Sequence, residues 1–93
     1  MRIMAICGSG LGSSFMLEMN VQQILRDMGV DGIEVGHSDL SSATPDMADL
    51  FILSKDIAEG AAGLGNLIVI ESIIDMDGIR GKLEAALKER GYI

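Results

Sequence analysis

The fold is decided by the stretch Ile3-Met4-Ala5-Ile6-Cys7-Gly8-Ser9-Gly10-Leu11-Gly12-Ser13-Ser14. Apolar residues lead into a run rich in glycine and serine, and a long amphipathic pattern begins at Phe15. This order predicts a strand, a glycine-rich turn and a helix. Such a turn directs several backbone N–H groups and the N-terminus of a helix at one point, an arrangement that binds anions.

Cys7 is the only cysteine and stands at the first position of this loop. Because Gly8 follows it, we expect the sulfur at the exit of the strand, where the partial positive charge of the helix end favours the thiolate. The alternative is a structural cysteine that packs as a small hydrophobe. A nucleophile that faces an anion-binding turn indicates chemistry on phosphate.

Composition limits the class of protein. The 93 residues predict a single domain over residues 1–93, with a core of aliphatic and methionine side chains because only 3% of the residues are aromatic. No apolar run approaches the ~20 residues that cross a bilayer, and the segment before Cys7 is too short for the apolar part of a signal peptide. The single cysteine rules out an internal disulfide and fits a reducing cytosol, so we expect a cytoplasmic protein. The net charge of −7 argues against nucleic-acid binding.

Apolar and amphipathic segments alternate along the chain. Strands are predicted at residues 1–6, 33–37, 49–53 and 67–70. The first predicted helix has Ser13 or Ser14 as its N-cap and runs to residue 28. A short helix is predicted within residues 57–65, and a last one follows a cap at Asp75 or Asp77. Residues 38–46 predict a loop with one short turn. The first helix should bury Leu17, Val21, Ile24, Leu25 and Met28, and end at Gly29. The last should bury Ile79, Leu83, Ala86 and Leu87.

The strands are apolar without alternation, which predicts a parallel sheet covered by helices on both faces. We predict an α/β fold of the flavodoxin or Rossmann-like type, with four parallel strands in the order 2-1-3-4. Ligands of such sheets bind beyond the strand C-termini where the order reverses, here between strands one and three. This would bring Cys7 close to Ser54 and Lys55, and Ser38 and Asp39 are further candidates for the rim.

Two other polar residues near these strand ends have competing explanations. Lys55 is the only cation among the rim candidates, so it is either a phosphate ligand or a solvated loop lysine. His37 is the sole histidine, and we favour a partly exposed residue at a strand end over a catalytic base.

Three better-known phosphate loops do not fit. A dinucleotide fingerprint needs a glycine where Ser13 stands, and a Walker A loop needs a lysine that this loop lacks. The low-molecular-weight tyrosine phosphatase loop needs an arginine at the position of Ser13, because the guanidinium holds the charge of the transition state. A loop that accepts phosphate but hydrolyses it poorly fits a carrier better.

The loop, extended to Phe15, resembles enzyme IIB subunits of the bacterial phosphoenolpyruvate-dependent sugar phosphotransferase system. The resemblance continues through His37-Ser38-Asp39-Leu40-Ser41-Ser42 and Lys55-Asp56-Ile57-Ala58, and covers essentially the whole chain. It is strongest to the ascorbate type, with the lactose and galactitol types more distant.

This resemblance implies a protein-phosphocysteine–sugar phosphotransferase that works without cofactor or metal. Cys7 would take phosphate from a phosphohistidine of a IIA protein and pass it to a sugar held by the IIC membrane permease, with which the cytoplasmic protein associates peripherally. The implied sugar is ascorbate-like, a pentitol or a hexitol. The phosphate-binding residues carried over from the family are Gly8, Ser9, Gly10, Leu11, Gly12, Ser13 and Ser14.

Two other functions remain open. The first is a regulatory or sensory domain that keeps the IIB fold without transporting sugar. The second is a thiol-dependent redox or arsenate-reducing protein, which would need an external thiol because the chain has no second cysteine.

Overall fold

A computed structural model describes residues 1–8 and 11–93 and contains one four-stranded parallel sheet. The strands are β1 (Arg2–Cys7), β2 (Glu34–Asp39), β3 (Leu50–Ser54) and β4 (Leu67–Ile70). They are hydrogen-bonded in the order β2-β1-β3-β4, and each neighbouring pair is parallel. The predicted α/β fold and strand order are confirmed.

Helical segments connect the strands. The α-helices are α1 (Leu11–Met28), α2 (Lys55–Ala58) and α3 (Met76–Glu89), and 3-10 turns span Leu40–Ser42, Pro45–Met47 and Glu59–Leu64. The segment between β2 and β3 thus holds two short turns where we predicted one. Between β3 and β4, the alanine- and glycine-rich sequence forms one α-helical turn and then tightens into 3-10 geometry, which is common in short connectors.

The sheet buries a hydrophobic core on each face. Ile3 and Ala5 of β1 belong to one core, whereas Met4 and Ile6 belong to the other. This double burial explains why the strands carry no polar alternation. Helices α1 and α3 cover the first core with Leu17, Val21, Ile24, Leu25, Ile79, Leu83 and Leu87. Helix α2 and the neighbouring 3-10 turns cover the second with Leu40, Met47, Ile57, Ala58, Ala61 and Leu64.

The start of α1 differs from the prediction. The helix begins at Leu11, so Ser13 and Ser14 lie within its first turn and neither is the N-cap. The helix is therefore three or four residues longer at this end than predicted, at a propensity cost of up to about 1 kcal/mol for Gly12, which tertiary packing readily overrides. It also places the backbone N–H of Ser13, the third residue of the helix, among those of the first turn that have no acceptor inside the helix.

The end of α1 follows the prediction. Gly29 has a φ of +72°, and its N–H donates to the carbonyl of Arg26 (3.1 Å) while the N–H of Val30 donates to that of Leu25 (3.0 Å). These two bonds form a Schellman motif, which requires a left-handed residue and therefore favours glycine.

The C-terminal ends of β2 and β3 extend further than predicted. Ser38 and Asp39 are strand residues because they pair with Ile6 and Cys7 of β1, and Ser54 pairs with Ile70 of β4. At the start of α3, the side chain of Asp75 accepts the N–H of Gly78 (3.1 Å), so Asp75 is the cap and Asp77 lies inside the first turn. These ladders and caps bring the polar ends of β1, β3 and β4 to one edge of the sheet.

Candidate active site

Cys7 is the last residue of β1 and opens onto a cleft of about 520 Å³. Only 7% of the residue is exposed, because most of it lies within the edge of the core. The cleft is lined by Ile6, Cys7, Gly8, Ser13, Ser54, Lys55, Asp56, Ile57, Glu71, Ser72 and Ile73. These residues come from the ends of β1, β3 and β4 and from the first turn of α1, as the rule for the switch point predicts.

The cleft brings together five of the predicted site residues, namely Cys7, Gly8, Ser13, Ser54 and Lys55. Of the remaining loop positions, Gly12 and Ser14 belong to the first turn of α1, which Leu11 opens, and Ser14 is fully buried. Ser9 and Gly10 lie outside the residues that the structure describes.

Gly8 follows Cys7 at a point where the backbone passes close to α2. A Cβ on this residue would lie 3.0 Å from Cγ2 of Ile57, well inside the 3.5–4.0 Å of an ordinary contact. Glycine therefore lets the strand exit approach the helix that forms the opposite wall of the cleft.

The two rim candidates on β2, Ser38 and Asp39, form local hydrogen bonds at the end of the strand and in the turn that follows. The carboxylate of Asp39 accepts the hydroxyl of Ser41 (3.0 Å) and the N–H of Ser42 (3.2 Å). Hydrogen bonds from the side chains of Ser42 and Ser41 lower the pKa of Asp39, and the backbone bond from Ser42 adds to this effect. The buried hydroxyl of Ser38 donates to the carbonyl of Asp39 (3.1 Å). Among the described residues that line the cleft, neither Ser38 nor Asp39 is found.

Lys55 meets a carboxylate that sequence reasoning did not anticipate. Its Nζ lies 2.7 Å from Oε2 of Glu71, the residue after β4. The bond and charge of Glu71 raise the pKa of Lys55, and Lys55, helped by Lys82, lowers the pKa of Glu71. Sequence reasoning could have found Glu71 from its position, because it directly follows the predicted fourth strand as Ser54 and Lys55 follow the third.

A second carboxylate stands beside this pair. Asp56 lines the cleft, and its Oδ1 accepts a hydrogen bond from the hydroxyl of Ser54. The hydroxyl hydrogen of Ser54 is thus used in the hydrogen bond to Asp56, and the lone pairs of the serine oxygen can accept hydrogen bonds from other donors. The described lining therefore holds one cation, Lys55, and two carboxylates, Asp56 and Glu71.

His37 lies away from the cleft, on β2. Its Nδ1 is 2.6 Å from Oε1 of Glu18 on α1, and its ring meets the ring of Phe15 edge to face with centroids 5.5 Å apart. The side chain is 31% exposed, as expected for a partly exposed strand residue. The contact ties the first half of α1 to β2.

Exposed apolar side chains lie on the first half of α1 and in the loop after β4. Phe15, Met16 and Met19 are about half exposed, and Ile74, in the loop after β4, is 71% exposed. Asn20 donates from Nδ2 to the carbonyl of Ile73 (2.8 Å), which fixes that loop against α1 next to the cleft.

Residues 1–8 and 11–93 contain neither a metal-binding cluster nor a membrane-spanning helix. Within these ranges, no three or more histidine, cysteine, aspartate or glutamate side chains are grouped so that they could hold a metal ion. Over the same part of the chain, no helix is both long enough and apolar enough to cross a bilayer.

Comparisons with known proteins identify the family. A family model described as "PTS system, Lactose/Cellobiose specific IIB subunit" matches residues 2–89. Proteins named "Ascorbate-specific PTS system EIIB component" from Salmonella typhimurium, Escherichia coli O157:H7 and Shigella flexneri are each 35% identical to this chain over 91 residues. The alignments cover 91% of this chain and 78% of each relative. This chain therefore belongs to the IIB subunit family of the sugar phosphotransferase system.

Proposed function

We propose that this protein is a phosphocarrier, a single domain over residues 1–93 that carries a phosphoryl group on Cys7. The donor is a phosphohistidine of a IIA protein, and the acceptor is a sugar held by a IIC membrane permease. The observation that carries the proposal is the position of Cys7, at the end of β1 in a cleft that the first turn of α1 borders.

Each transfer exchanges one bond to phosphorus for another. The thiolate of Cys7 forms an S–P bond as the P–N bond of the donor breaks, and the proton given up by the thiol balances the one that the leaving imidazole takes up. In the second transfer, a sugar hydroxyl oxygen forms a P–O bond as the S–P bond breaks. The electron pair returns to the sulfur, and the hydroxyl proton is released.

Backbone amides supply the stabilisation that these transfers require. Phosphoryl transfer spreads negative charge over three equatorial oxygens, so catalysis consists mainly of positioning and of donors aimed at those oxygens. The first turn of α1 offers N–H groups of this kind, that of Ser13 among them. We propose that the loop from Gly8 to Ser14, including Ser9 and Gly10, forms the phosphate cradle.

The partners follow from the same proposal. The protein would act on the cytoplasmic side and associate peripherally with the IIC permease. Relatives that are 35% identical carry the name ascorbate-specific, so we propose an ascorbate-like substrate before a pentitol or hexitol. Growth of a deletion strain on each candidate sugar tests this choice, and unimpaired growth on ascorbate contradicts it.

The assignment of Cys7 is tested by incubating the protein with a phosphorylated IIA donor. Label should appear on the wild-type protein and be absent from the Cys7→Ala variant, and phosphorus NMR should show a thiophosphate. Ser72→Ala is the matched control, because Ser72 also lines the cleft but lies outside the proposed cradle. Label that persists in Cys7→Ala, or a phosphorus bound to nitrogen, refutes the proposal.

Two successive partners must reach the same sulfur, so the surface beside the cleft should be the docking face. Met16 and Met19 are about half exposed on α1, the helix whose first turn borders the cleft, and a polar replacement costs little folding energy at such positions. Met16→Ser and Met19→Ser should slow transfer from the donor, whereas Ile93→Ser, an equally exposed change elsewhere, should not. Equal rates for all three variants would contradict docking at α1.

A further inference from the structure

Lys55 and Glu71 meet at the cleft from neighbouring strands. Lys55 follows β3, Glu71 follows β4, and their charged atoms are 2.7 Å apart. Both line the cleft that contains Cys7, and Lys55 is the only cation among the described lining residues. The one positive charge that the described lining offers to an anion is therefore already engaged by a carboxylate.

This ion pair is weak enough for Lys55 to exchange Glu71 for another anion. The two side chains are 68% and 70% exposed, and exposed pairs of this kind are weak. A phosphoryl group on Cys7 carries a charge of about −1.5 to −2, which exceeds the single charge of the carboxylate. The positive charge of Lys82 also lowers the pKa of Glu71, though less than Lys55 does.

We propose that Lys55 and Glu71 form an exchangeable ion pair that sets how tightly Cys7 holds its phosphoryl group. This inference rests on the proposed phosphocarrier function. When Cys7 is phosphorylated, Lys55 moves from Glu71 to the phosphoryl oxygens. Glu71 then remains beside the cleft as a competing partner for Lys55 and as a like charge, and both effects favour release of the phosphoryl group. Lys55 is a phosphate ligand, and Glu71 is a positioning residue that acts through it.

The first measurement is the fraction of Cys7 that is phosphorylated at equilibrium with a fixed ratio of phosphorylated to free IIA donor. Glu71→Gln should raise the phosphorylated-to-free ratio of Cys7 about two- to fivefold, the range that exposed charge pairs produce. Lys55→Met should lower the ratio by a similar factor. The double variant should fall between the two.

The matched control is the Arg2–Glu34 ion pair. It has the same 2.7 Å separation and comparable exposure (52% and 73%), but Arg2 begins β1 whereas Cys7 ends it. Glu34→Gln removes the same charge from the protein as Glu71→Gln does. It should leave the phosphorylated fraction of Cys7 unchanged, because the effect depends on position and not on net charge.

A second measurement needs no phosphate donor. Iodoacetate and iodoacetamide both alkylate the Cys7 sulfur with loss of iodide, but only iodoacetate is an anion. The ratio of their rate constants cancels differences in access and in thiolate content, and reports the preference of the cleft for negative charge. Glu71→Gln should raise this ratio about two- to fivefold, and Lys55→Met should lower it.

The two measurements separate the possible failures. An alkylation ratio that is the same in Glu71→Gln as in Glu34→Gln overturns the inference, whatever the phosphotransfer assay gives. A phosphorylated fraction that falls in Glu71→Gln overturns it as well. If Cys7 of the wild-type protein takes up no phosphate, the proposed function is overturned, and with it the phosphoryl part of the inference. An alkylation ratio that still shifts in Glu71→Gln would then show that the ion pair controls anion preference and that only the phosphocarrier assignment failed.

Discussion

Replacing Gly8 by alanine should destabilise the protein through one contact. The new Cβ would lie 3.0 Å from Cγ2 of Ile57, so one of the two groups must move by several tenths of an ångström. Cγ2 is bonded directly to Cβ of a β-branched residue, which is stiff at χ1, and it cannot swing away as a longer side chain would. The strain must therefore be relieved by moving α2 or the exit of β1.

The size of the effect follows from two opposing contributions. Overpacking by a methyl group costs about 1–3 kcal/mol, and the lower entropy of alanine in the unfolded chain returns about 0.4–1 kcal/mol. We expect a net loss of about 1 kcal/mol in the free energy of unfolding, which lowers Tm by about 4–8 °C in a chain of this size. Urea and thermal unfolding followed by circular dichroism measure both quantities.

Substitutions at Ile57 identify the contact. Ile57→Leu removes Cγ2, so Gly8→Ala should cost less than half as much in that background. Ile57→Val keeps Cγ2, and the cost of Gly8→Ala should be unchanged there. A Gly8→Ala variant as stable as the wild type, or equal penalties in the Leu and Val backgrounds, would refute the steric argument.

Three further predictions concern caps and charge. Asp75→Ala should lower the free energy of unfolding by about 1 kcal/mol because it removes the cap of α3. Asp77→Ala should lower it clearly less. Equal losses in urea titrations would contradict the assignment of Asp75 as the cap. Gly29→Ala should lower the free energy of unfolding by about 1 kcal/mol because Gly29 has a φ of +72°, and Gly29→Asn should lower it less. A larger loss for Asn than for Ala in urea titrations would contradict a left-handed cap. The pKa of Asp39 is lowered by hydrogen bonds from Ser42 and Ser41, so its stabilising effect should be present at neutral pH and be lost below about pH 4, as the pH falls through the lowered pKa. Asp39→Asn should therefore lower the urea midpoint at pH 7 more than at pH 3, and an equal loss at both would contradict this cause.

Hydrophobic pattern and backbone chemistry are sufficient to predict the architecture. Continuous apolar runs can be buried only in a sheet covered on both faces, and right-handed crossovers leave few strand orders, so 2-1-3-4 could be predicted. Gly29 marked the end of α1 because only glycine enters the left-handed region at little cost. The same rules located Cys7, Ser54 and Lys55 at one edge of the sheet.

Local signals were less reliable at element ends. Ser13 and Ser14 have the chemistry of N-caps, yet both lie inside α1, which begins at Leu11, and Ser14 is fully buried. The sequence around Asp39 predicted a loop, but pairing with Cys7 of β1 makes it a strand residue. At Asp39, pairing with another strand outweighed a local preference of about 1 kcal/mol.

Side-chain partners were decided by the tertiary structure alone. Glu71 and Lys55 are far apart in sequence and meet because β3 and β4 are adjacent, and His37 meets Glu18 because α1 crosses beside β2. Hydropathy and spacing specify which residues reach an edge of the sheet. They do not specify which two charged atoms form an ion pair, because that contact depends on strand register and on side-chain rotamers, both fixed only when the cores pack.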